Sequence, residues 1–215
     1  MPSATRIFGS TARGDRRYGR HRARRPYWRD VADTLKSFLQ DFSGVGEFLP
    51  TAWGTCETMA RAALATVLNE SGTGALLELG GGTGRSTEAM LNVAGSRLVI
   101  TCEINPRLRA IIQERFRGVS NVVVLADALE VEKYLADNGI EVGAIVSFLP
   151  FTSLPSEVSD LLVEMIRRIG GSLALIQYFR FKEQWLVSNL GQFTHRVRYR
   201  WNAPPCNIYI WTATK

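Results

Sequence analysis

The sequence has few of the residues that build metal sites and disulfides. It contains two histidines, His21 and His195, and three cysteines, Cys56, Cys102 and Cys206. None of these side chains is followed by another at the spacing typical of a zinc site or a redox motif. We therefore expect reduced thiols and no bound metal.

Long apolar runs are also missing. No stretch reaches the roughly 18–20 apolar residues that a bilayer-spanning helix needs. The first residues carry arginines where a secretory signal has an apolar segment. The sequence thus predicts a cytoplasmic protein that can contact a membrane only at its surface.

Positive charge is concentrated at the N-terminus. Residues 1–29 contain nine arginines and one acidic residue, whereas the rest of the chain has a net charge of −2. Because this segment has almost no apolar periodicity, it is predicted to be a basic, disordered arm. Such an arm attracts anionic surfaces, either phospholipid headgroups or nucleic acid. The alternative is a solvated tail without a partner.

Residues 30–70 are predicted to form two helices. Apolar side chains recur at helical spacing from Val31 to Phe42. Aromatic residues and an arginine at the start of this stripe favour a helix that lies in a membrane interface, and packing on the domain core is the alternative. A second helix is predicted from about Thr55 to Asn69.

Residues 71–215 alternate between buried strands and helices. The runs ALLELG, LVITCE, VVVLAD, VGAIVSF and SLALIQYF are typical of parallel strands, and segments of helical period separate them. RVRYRW and NIYIWTAT, which flank NAPP, predict an antiparallel hairpin at the edge of the sheet. The predicted fold class is α/β, a doubly wound, mostly parallel sheet of seven strands.

A glycine-rich stretch follows the first predicted strand, where ligands bind in such sheets. Its spacing fits neither a dinucleotide fingerprint nor a phosphate-binding loop. The remaining pattern, E-x-G-x-G-x-G, consists of Glu78, Gly80, Gly82 and Gly84. It resembles motif I of the class I methyltransferases. This resemblance implies a Rossmann-like fold and S-adenosylmethionine as the cofactor, with S-adenosylhomocysteine as the product.

Acidic residues also end the next two predicted strands. Glu103 lies where a carboxylate can accept both ribose hydroxyls, and Asp127 can bind the adenine amino group beside the Ala128 backbone amide. For each acid alone, a helix cap or a solvated loop residue is the alternative. The predicted cofactor-binding residues are Glu78, Gly80, Gly81, Gly82, Thr83, Gly84, Glu103, Ile104, Asp127, Ala128 and Ser147.

The methyl acceptor is predicted to bind after the fourth strand, at SFLPF. Methyltransferases that act on nitrogen often carry [DNS]-[IP]-P-[YF] at this place. Methyl transfer to a neutral amine needs positioning and desolvation, and an aromatic ring can shield the cation that forms. A hydrophobic strand that ends in a turn is the alternative. The predicted catalytic residues are Ser147, Phe148, Leu149, Pro150, Phe151 and Tyr178.

Four segments together resemble the bacterial phospholipid N-methyltransferases. SFLPF is similar to that family's S-G-L-P-[LF], IQYF to the end of its fifth strand, RWNAPP to R-N-x-P-P, and GVGEFLPTAWGTCETMARA to its N-terminal segment. The resemblance implies stepwise methylation of phosphatidylethanolamine towards phosphatidylcholine by a peripheral membrane protein. Candidates for holding the headgroup phosphate are Tyr178, Arg198, Arg200 and Asn202.

The chain departs from this family pattern near the acceptor. Phe148 replaces a glycine, Thr51 and Ala52 replace two serines, and Trp201 separates the arginine from the asparagine. Two other acceptors therefore stay open, the amine of a small molecule or natural product and an adenine of ribosomal RNA. A binding module that kept the fold without catalysis is a further alternative.

Overall fold

The computed structural model describes residues 51–68, 74–149, 151, 154–178, 183–200, 202 and 205–212. The predicted basic arm and the first predicted helix lie outside these residues. Pro150 and Trp201 also lie outside them.

Six α-helices and seven strands alternate in the described residues, as the apolar runs predict. A 3₁₀ turn, Ala128–Glu130, precedes the fourth helix. The elements are α1 (Trp53–Leu68), β1 (Ala75–Leu79), α2 (Arg85–Ala94), β2 (Val99–Cys102), α3 (Pro106–Arg115), β3 (Val122–Leu125), α4 (Val131–Asn138), β4 (Val142–Ser147), α5 (Ser156–Ile169), β5 (Ser172–Gln177), α6 (Glu183–Leu190), β6 (His195–Tyr199) and β7 (Cys206–Trp211).

All seven strands form one sheet, in the order β3-β2-β1-β4-β5-β7-β6. The first five of these are parallel, and β7 is antiparallel to both β5 and β6. The predicted α/β class and the antiparallel hairpin are therefore confirmed. Because β6 runs in the same direction as β5, the β6–β7 connection lies at the carboxyl edge of the parallel strands. Strand order reverses between β1 and β4, which places the ligand-binding crevice at that edge.

Alternating side chains fill one apolar layer on each face of the sheet. Leu76 and Val146 belong to the layer that α1 covers, and Leu77 and Ile145 belong to the layer that α5 covers. This alternation follows from the two-residue period of a strand. Helix α1 shares the first layer with α2, β4 and β5. The sequence pattern groups α1 with an N-terminal element, but the helix packs in the same core as the sheet.

Residues at the helix ends explain where several helices start and stop. Asn105 Oδ1 accepts the backbone N–H groups of Arg107 and Leu108, with Pro106 in the first turn of α3. Gly139 ends α4 in the left-handed conformation, at φ 60°. Asn105 and Pro106 therefore begin α3, and Gly139 ends α4.

The three cysteines are buried and free, as predicted. Among the described residues, no three His, Cys, Asp or Glu side chains are grouped so that they could hold a metal ion. No helix of the described part combines the length and apolar character needed to cross a bilayer.

Candidate active site at the carboxyl edge of the sheet

The glycine loop, residues 80–84 between β1 and α2, packs tightly against the sheet and α3. The N–H groups of Gly80 and Gly81 both donate to the carbonyl of Cys102, at 3.0 and 2.9 Å. A Cβ at Gly81 would lie 2.4 Å from Thr101 Oγ1, and one at Gly84 would lie 2.9 Å from the Phe116 ring. Side chains at these two glycines would therefore collide with the sheet or with α3.

Gly82 differs from its neighbours because it faces open space. Its φ is +55°, and a Cβ built there meets no atom within 4 Å. The backbone at Gly82 is thus accessible from the crevice, so a ligand can approach it closely.

Glu103, the first residue after β2, is bonded to this open glycine. Its Oε2 accepts the Gly82 N–H at 2.7 Å, and its Oε1 accepts the Asn105 N–H at 2.9 Å. Each carboxylate oxygen keeps acceptor capacity, because an oxygen can take about two hydrogen bonds. The fixed carboxylate therefore presents two acceptors, which suits a vicinal diol.

Burial dominates the electrostatics of Glu103. Desolvation raises the pKa of its carboxyl above the ordinary value of 4.5, and the negative charge of Glu78 acts in the same direction. The N–H groups of Asn105 and Gly82 and the Arg109 charge act in the opposite direction. A ligand that donates hydrogen bonds to the carboxylate relieves part of this desolvation.

Glu78, in β1, lies beneath the glycine loop rather than in the open crevice. Its side chain is fully buried, and Thr87 Oγ1 of α2 donates to its Oε2 at 2.5 Å. Burial raises the pKa of this carboxyl, while the hydroxyls of Ser86 and Thr87 lower it. Oε1 has no hydrogen-bond partner among the described residues. Glu78 thus ties β1 to α2 and makes the underside of the loop acidic.

The third predicted acid, Asp127, lies two residues beyond the end of β3. Its Oδ1 accepts the Leu129 N–H at 3.0 Å. Asp127 therefore caps the 3₁₀ turn, which is the alternative to cofactor binding that the sequence leaves open. Two large apolar side chains in this region are exposed, Ile104 by 67% and Leu129 by 43%. Exposed apolar groups beside polar strand ends form a surface suited to a flat apolar ring.

The turn after β4 holds its aromatic residues inside the protein. Ser147 is buried, and the Phe148 N–H donates to the Leu79 carbonyl at 2.8 Å. Phe148 is only 7% exposed and packs in the α1 layer, so it fills core space. Phe151 is 0% exposed, and its ring centroid lies 6.1 Å from that of Trp185. We correct the expected role of Phe151, because a ring without exposed surface cannot shield a cation in the crevice.

Three of the distant segments with family resemblance meet at the start of α1. The hydroxyls of Thr51 and Tyr178 share a hydrogen bond of 3.4 Å. The Ala52 N–H donates to Asn202 Oδ1 at 2.8 Å, and Thr55 Oγ1 donates to the same oxygen at 3.3 Å. Asn202 is buried and anchors α1 to the β6–β7 connection. Its expected role as a phosphate ligand is therefore corrected to that of a structural anchor.

The two candidate arginines differ from Asn202 in their exposure. Arg198 and Arg200 lie at the carboxyl end of edge strand β6, and both are exposed. Neither takes part in an ion pair within the described residues. They can therefore contact a ligand or the solvent.

Sequence reasoning missed Arg115 and Leu129. Arg115 Nη1 donates to the Thr83 carbonyl at 3.0 Å, and Nη2 forms an ion pair with Glu88. This half-buried arginine holds the glycine loop against α3. An exposed leucine and an arginine near the end of a helix have no local sequence signal, so the sequence alone does not predict these roles.

Comparison with known proteins gives one curated relative and many structures with the same fold. No family model matches the chain. The relative is the "Probable ribosomal RNA small subunit methyltransferase A" of Methanosarcina acetivorans, 34% identical over 104 residues. The match covers 48% of this chain and 35% of the relative, so the chain spans well under half of the relative's length.

Two solved structures illustrate the fold. The N-methyltransferase NodS from Bradyrhizobium japonicum WM9, in complex with S-adenosylhomocysteine, has a TM-score of 0.59 and 14% identity, covering 85% of this chain and 100% of that one. The magnesium protoporphyrin IX methyltransferase of Synechocystis PCC 6803, with bound S-adenosylmethionine, has a TM-score of 0.52 and 10% identity, covering 74% and 79%. The chain therefore has the class I methyltransferase fold.

Proposed function

We propose that this chain is an S-adenosylmethionine-dependent N-methyltransferase. The observation that carries the proposal is the Glu103 carboxylate, fixed by the Gly82 N–H beside the open face of the glycine loop. The cofactor expectation is supported by the two solved structures, which contain S-adenosylmethionine or its product. When bound, the cofactor supplies an electrophilic methyl group on a sulfonium.

The residues at the carboxyl edge fit this ligand better than a dinucleotide. Glu103 would accept the two ribose hydroxyls, and Asp127 would accept the adenine amino group. Ile104 and Leu129 would pack on the adenine ring, since both expose apolar surface there. The buried acids Glu78 and Glu103 make the loop unfavourable for a pyrophosphate, whereas they favour a cationic ligand.

The acceptor would be an amine held at the ends of β4 and β5. Tyr178 is partly exposed on the α1 side of the sheet. Its aromatic ring and hydroxyl would therefore be available to contact the amine. The Phe148 N–H bond to Leu79 fixes the turn beside it. These residues would orient the amine and exclude water, which is the main requirement of methyl transfer to nitrogen.

Phosphatidylethanolamine is the acceptor that we propose first. The support is that three segments resembling phospholipid N-methyltransferases converge through the Thr51–Tyr178 and Ala52–Asn202 hydrogen bonds. A basic arm with nine arginines within residues 1–29 favours a peripheral protein on an anionic, cytoplasmic membrane surface.

An adenine of ribosomal RNA is the second candidate. The 34% identity to the ribosomal RNA methyltransferase over 104 residues favours it. The basic arm suits RNA as well as lipid. Against it, Phe148 replaces the asparagine that ribosomal adenine dimethyltransferases carry in N-[LI]-P-[YF].

A transfer assay with methyl-labelled S-adenosylmethionine tests the proposal. The purified full chain is offered phosphatidylethanolamine vesicles, ribosomal RNA and small primary amines in parallel. We expect label in the lipid amine, with Tyr178→Ala lowering kcat while cofactor affinity stays near that of the wild type. Label in RNA alone would select the second candidate. Cofactor binding without transfer to any acceptor would favour a non-catalytic binding module.

A further inference from the structure

Two arginines of α3 donate to main-chain carbonyls of the two segments that form the candidate cofactor site. Arg109, in the first turn of the helix, donates from Nη1 to the carbonyls of Glu103 and Ile104, at 2.9 and 3.0 Å. Arg115, the last residue of the helix, donates from Nη1 to the Thr83 carbonyl at 3.0 Å. One helix therefore holds the segment after β2 through one arginine and the glycine loop through the other.

The carbonyl that Arg115 holds belongs to the residue between two left-handed glycines. Gly82 and Gly84 have φ values of +55° and +80°. Because glycine has many accessible backbone conformations, the loop needs contacts from outside to keep this one. Arg115 supplies such a contact at Thr83, the neighbour of the glycine whose N–H orients Glu103.

A second nitrogen of Arg115 connects the same contact to α2. Nη2 forms an ion pair with Glu88, in the first turn of α2. The side chains of Arg115 and Glu88 are 11% and 14% exposed, so water and salt screen this pair less than a surface pair. The guanidinium can make both bonds at once because its donors project in a fixed, planar fork. Arg115 thus sets the position of the loop relative to α2 and α3 together.

The two arginines also act on the buried acids of the site. Burial raises the pKa of the Glu103 and Glu78 carboxyls. The charge of Arg109 opposes this rise in pKa at Glu103, and the charge of Arg115 opposes it at Glu78. Since an arginine stays protonated in proteins, each acid has a permanent positive charge nearby that favours its ionised form.

We propose that Arg109 and Arg115 are positioning residues for the cofactor, an inference that rests on the proposed function. Arg109 fixes the backbone that carries the Glu103 carboxylate, and Arg115 fixes the backbone at the open glycine, Gly82. The hydrogen bond between Gly82 and Glu103 joins the two segments, so both arginines act on one connected binding surface.

Calorimetric titration of the full chain with S-adenosylhomocysteine tests this proposal. Arg109→Met and Arg115→Met keep a long apolar stem and remove the guanidinium. Each should raise Kd about tenfold at a temperature at which every variant is folded. Arg117→Met is the matched control, because Arg117 follows α3, is 77% exposed and pairs with Glu114. It should leave Kd unchanged, and equal Kd values in all three variants would overturn the proposal.

Glu88→Gln separates the contact with the loop from the ion pair. This variant and Arg115→Met both break the pair and should lower Tm, but Glu88→Gln leaves the bond from Arg115 to Thr83 in place. We expect a Kd near that of the wild type for Glu88→Gln. Arg115→Lys keeps the charge without the fork, so it should recover Tm more than affinity, and it replaces Arg115→Met if that variant does not fold. Equal Kd values in Glu88→Gln and the Arg115 variant would mean that Arg115 acts only through the ion pair, which would refute its positioning role.

Adenosine distinguishes the two arginines from each other. It carries the ribose diol and the adenine but lacks the charged amino-acid chain of S-adenosylhomocysteine. Arg109→Met should weaken both ligands by the same factor, because Arg109 acts through the segment that carries Glu103. Arg115→Met should weaken S-adenosylhomocysteine more than adenosine, because it acts on the loop above the buried Glu78, where a cationic group is favoured. Identical ratios in the two variants would refute the assignment of each arginine to its own segment.

The same titrations, combined with the methyl-transfer assay, separate failure of this inference from failure of the proposed function. Binding that both arginine variants weaken, without methyl transfer to any amine, would refute the proposed function and keep the positioning residues. Binding and transfer that neither variant changes would keep the function and refute the positioning residues. A wild-type protein that binds no S-adenosylhomocysteine would refute both.

Discussion

The backbone N–H of Gly82 donates to Oε2 of Glu103 over 2.7 Å and so joins the glycine loop after β1 to the acid after β2. This bond orients a buried carboxylate beside the one glycine of the loop region 80–84 at which a Cβ would meet open space. A ligand with a diol and a cationic centre can use both features.

Replacing Glu103 should weaken cofactor binding. Glu103→Ala removes the acceptor for the ribose hydroxyls and should cost roughly 1–3 kcal/mol of binding free energy, the range for a lost bond to a charged group. Isothermal calorimetry with S-adenosylmethionine measures this loss. Glu141→Ala is the matched control, because Glu141 is exposed just before β4, at the opposite edge of the sheet. Equal affinity in both folded variants would show that Glu103 does not bind the ribose.

Cofactor affinity should depend on pH through Glu103. Burial raises the pKa of the Glu103 carboxyl above 4.5. Ribose hydroxyls that donate hydrogen bonds to this carboxyl stabilise its ionised form. Affinity should therefore rise as the pH increases from 4.5 through the raised pKa and then become constant, with proton release on binding along the rise. Glu103→Gln should abolish that rise. A residual dependence would report Glu78, whose pKa burial also raises.

Gly82→Ala should reduce cofactor affinity more than its effect on stability explains. A residue other than glycine in the left-handed conformation lowers the free energy of unfolding by roughly 1–2 kcal/mol. Gly139→Ala is a close control, since its φ of 60° resembles the 55° of Gly82 and no atom lies within 4 Å of its Cβ position. Both variants should lose similar stability in urea, but only Gly82→Ala should lose affinity. Equal affinities would show that no ligand approaches Gly82.

Asn202 should matter for stability rather than for acceptor binding. Asn202→Ala removes the oxygen that accepts from Ala52 and Thr55, which should cost roughly 1–3 kcal/mol in unfolding free energy. Asn202→Asp keeps an oxygen at this place and should retain more of the stability. Thermal unfolding of the two variants measures the difference. A stable Asn202→Ala protein with a raised acceptor KM would restore Asn202 as a ligand contact.

The strands and the cofactor edge could be predicted because their signals are local. Apolar runs such as ALLELG identify strands because their side chains are buried on both faces of the sheet. An acid directly after β2 reaches the crevice because the strands are parallel. The glycines within residues 80–84 indicate, from the sequence alone, a backbone that packs closely and that a ligand can approach. Each of these inferences needs only a short segment and the rule for parallel sheets.

The acceptor side could be predicted less well because its contacts span the chain. Asn202 resembles a ligand in sequence, yet its partners Ala52 and Thr55 lie about 150 residues away. Phe148 and Phe151 follow a strand end, but the layers on opposite faces of the sheet bury both rings.

Hydrogen–deuterium exchange with and without S-adenosylhomocysteine tests most directly whether the ends of β1, β2 and β3 bind the cofactor. We predict slower exchange in peptides that cover residues 80–84, 103–105 and 127–130, with Glu103→Ala removing the effect at the same ligand concentration. Peptides that cover β6 and β7 should exchange as before, because the acceptor is absent. Protection elsewhere with no change at these three strand ends would contradict cofactor binding at this edge of the sheet.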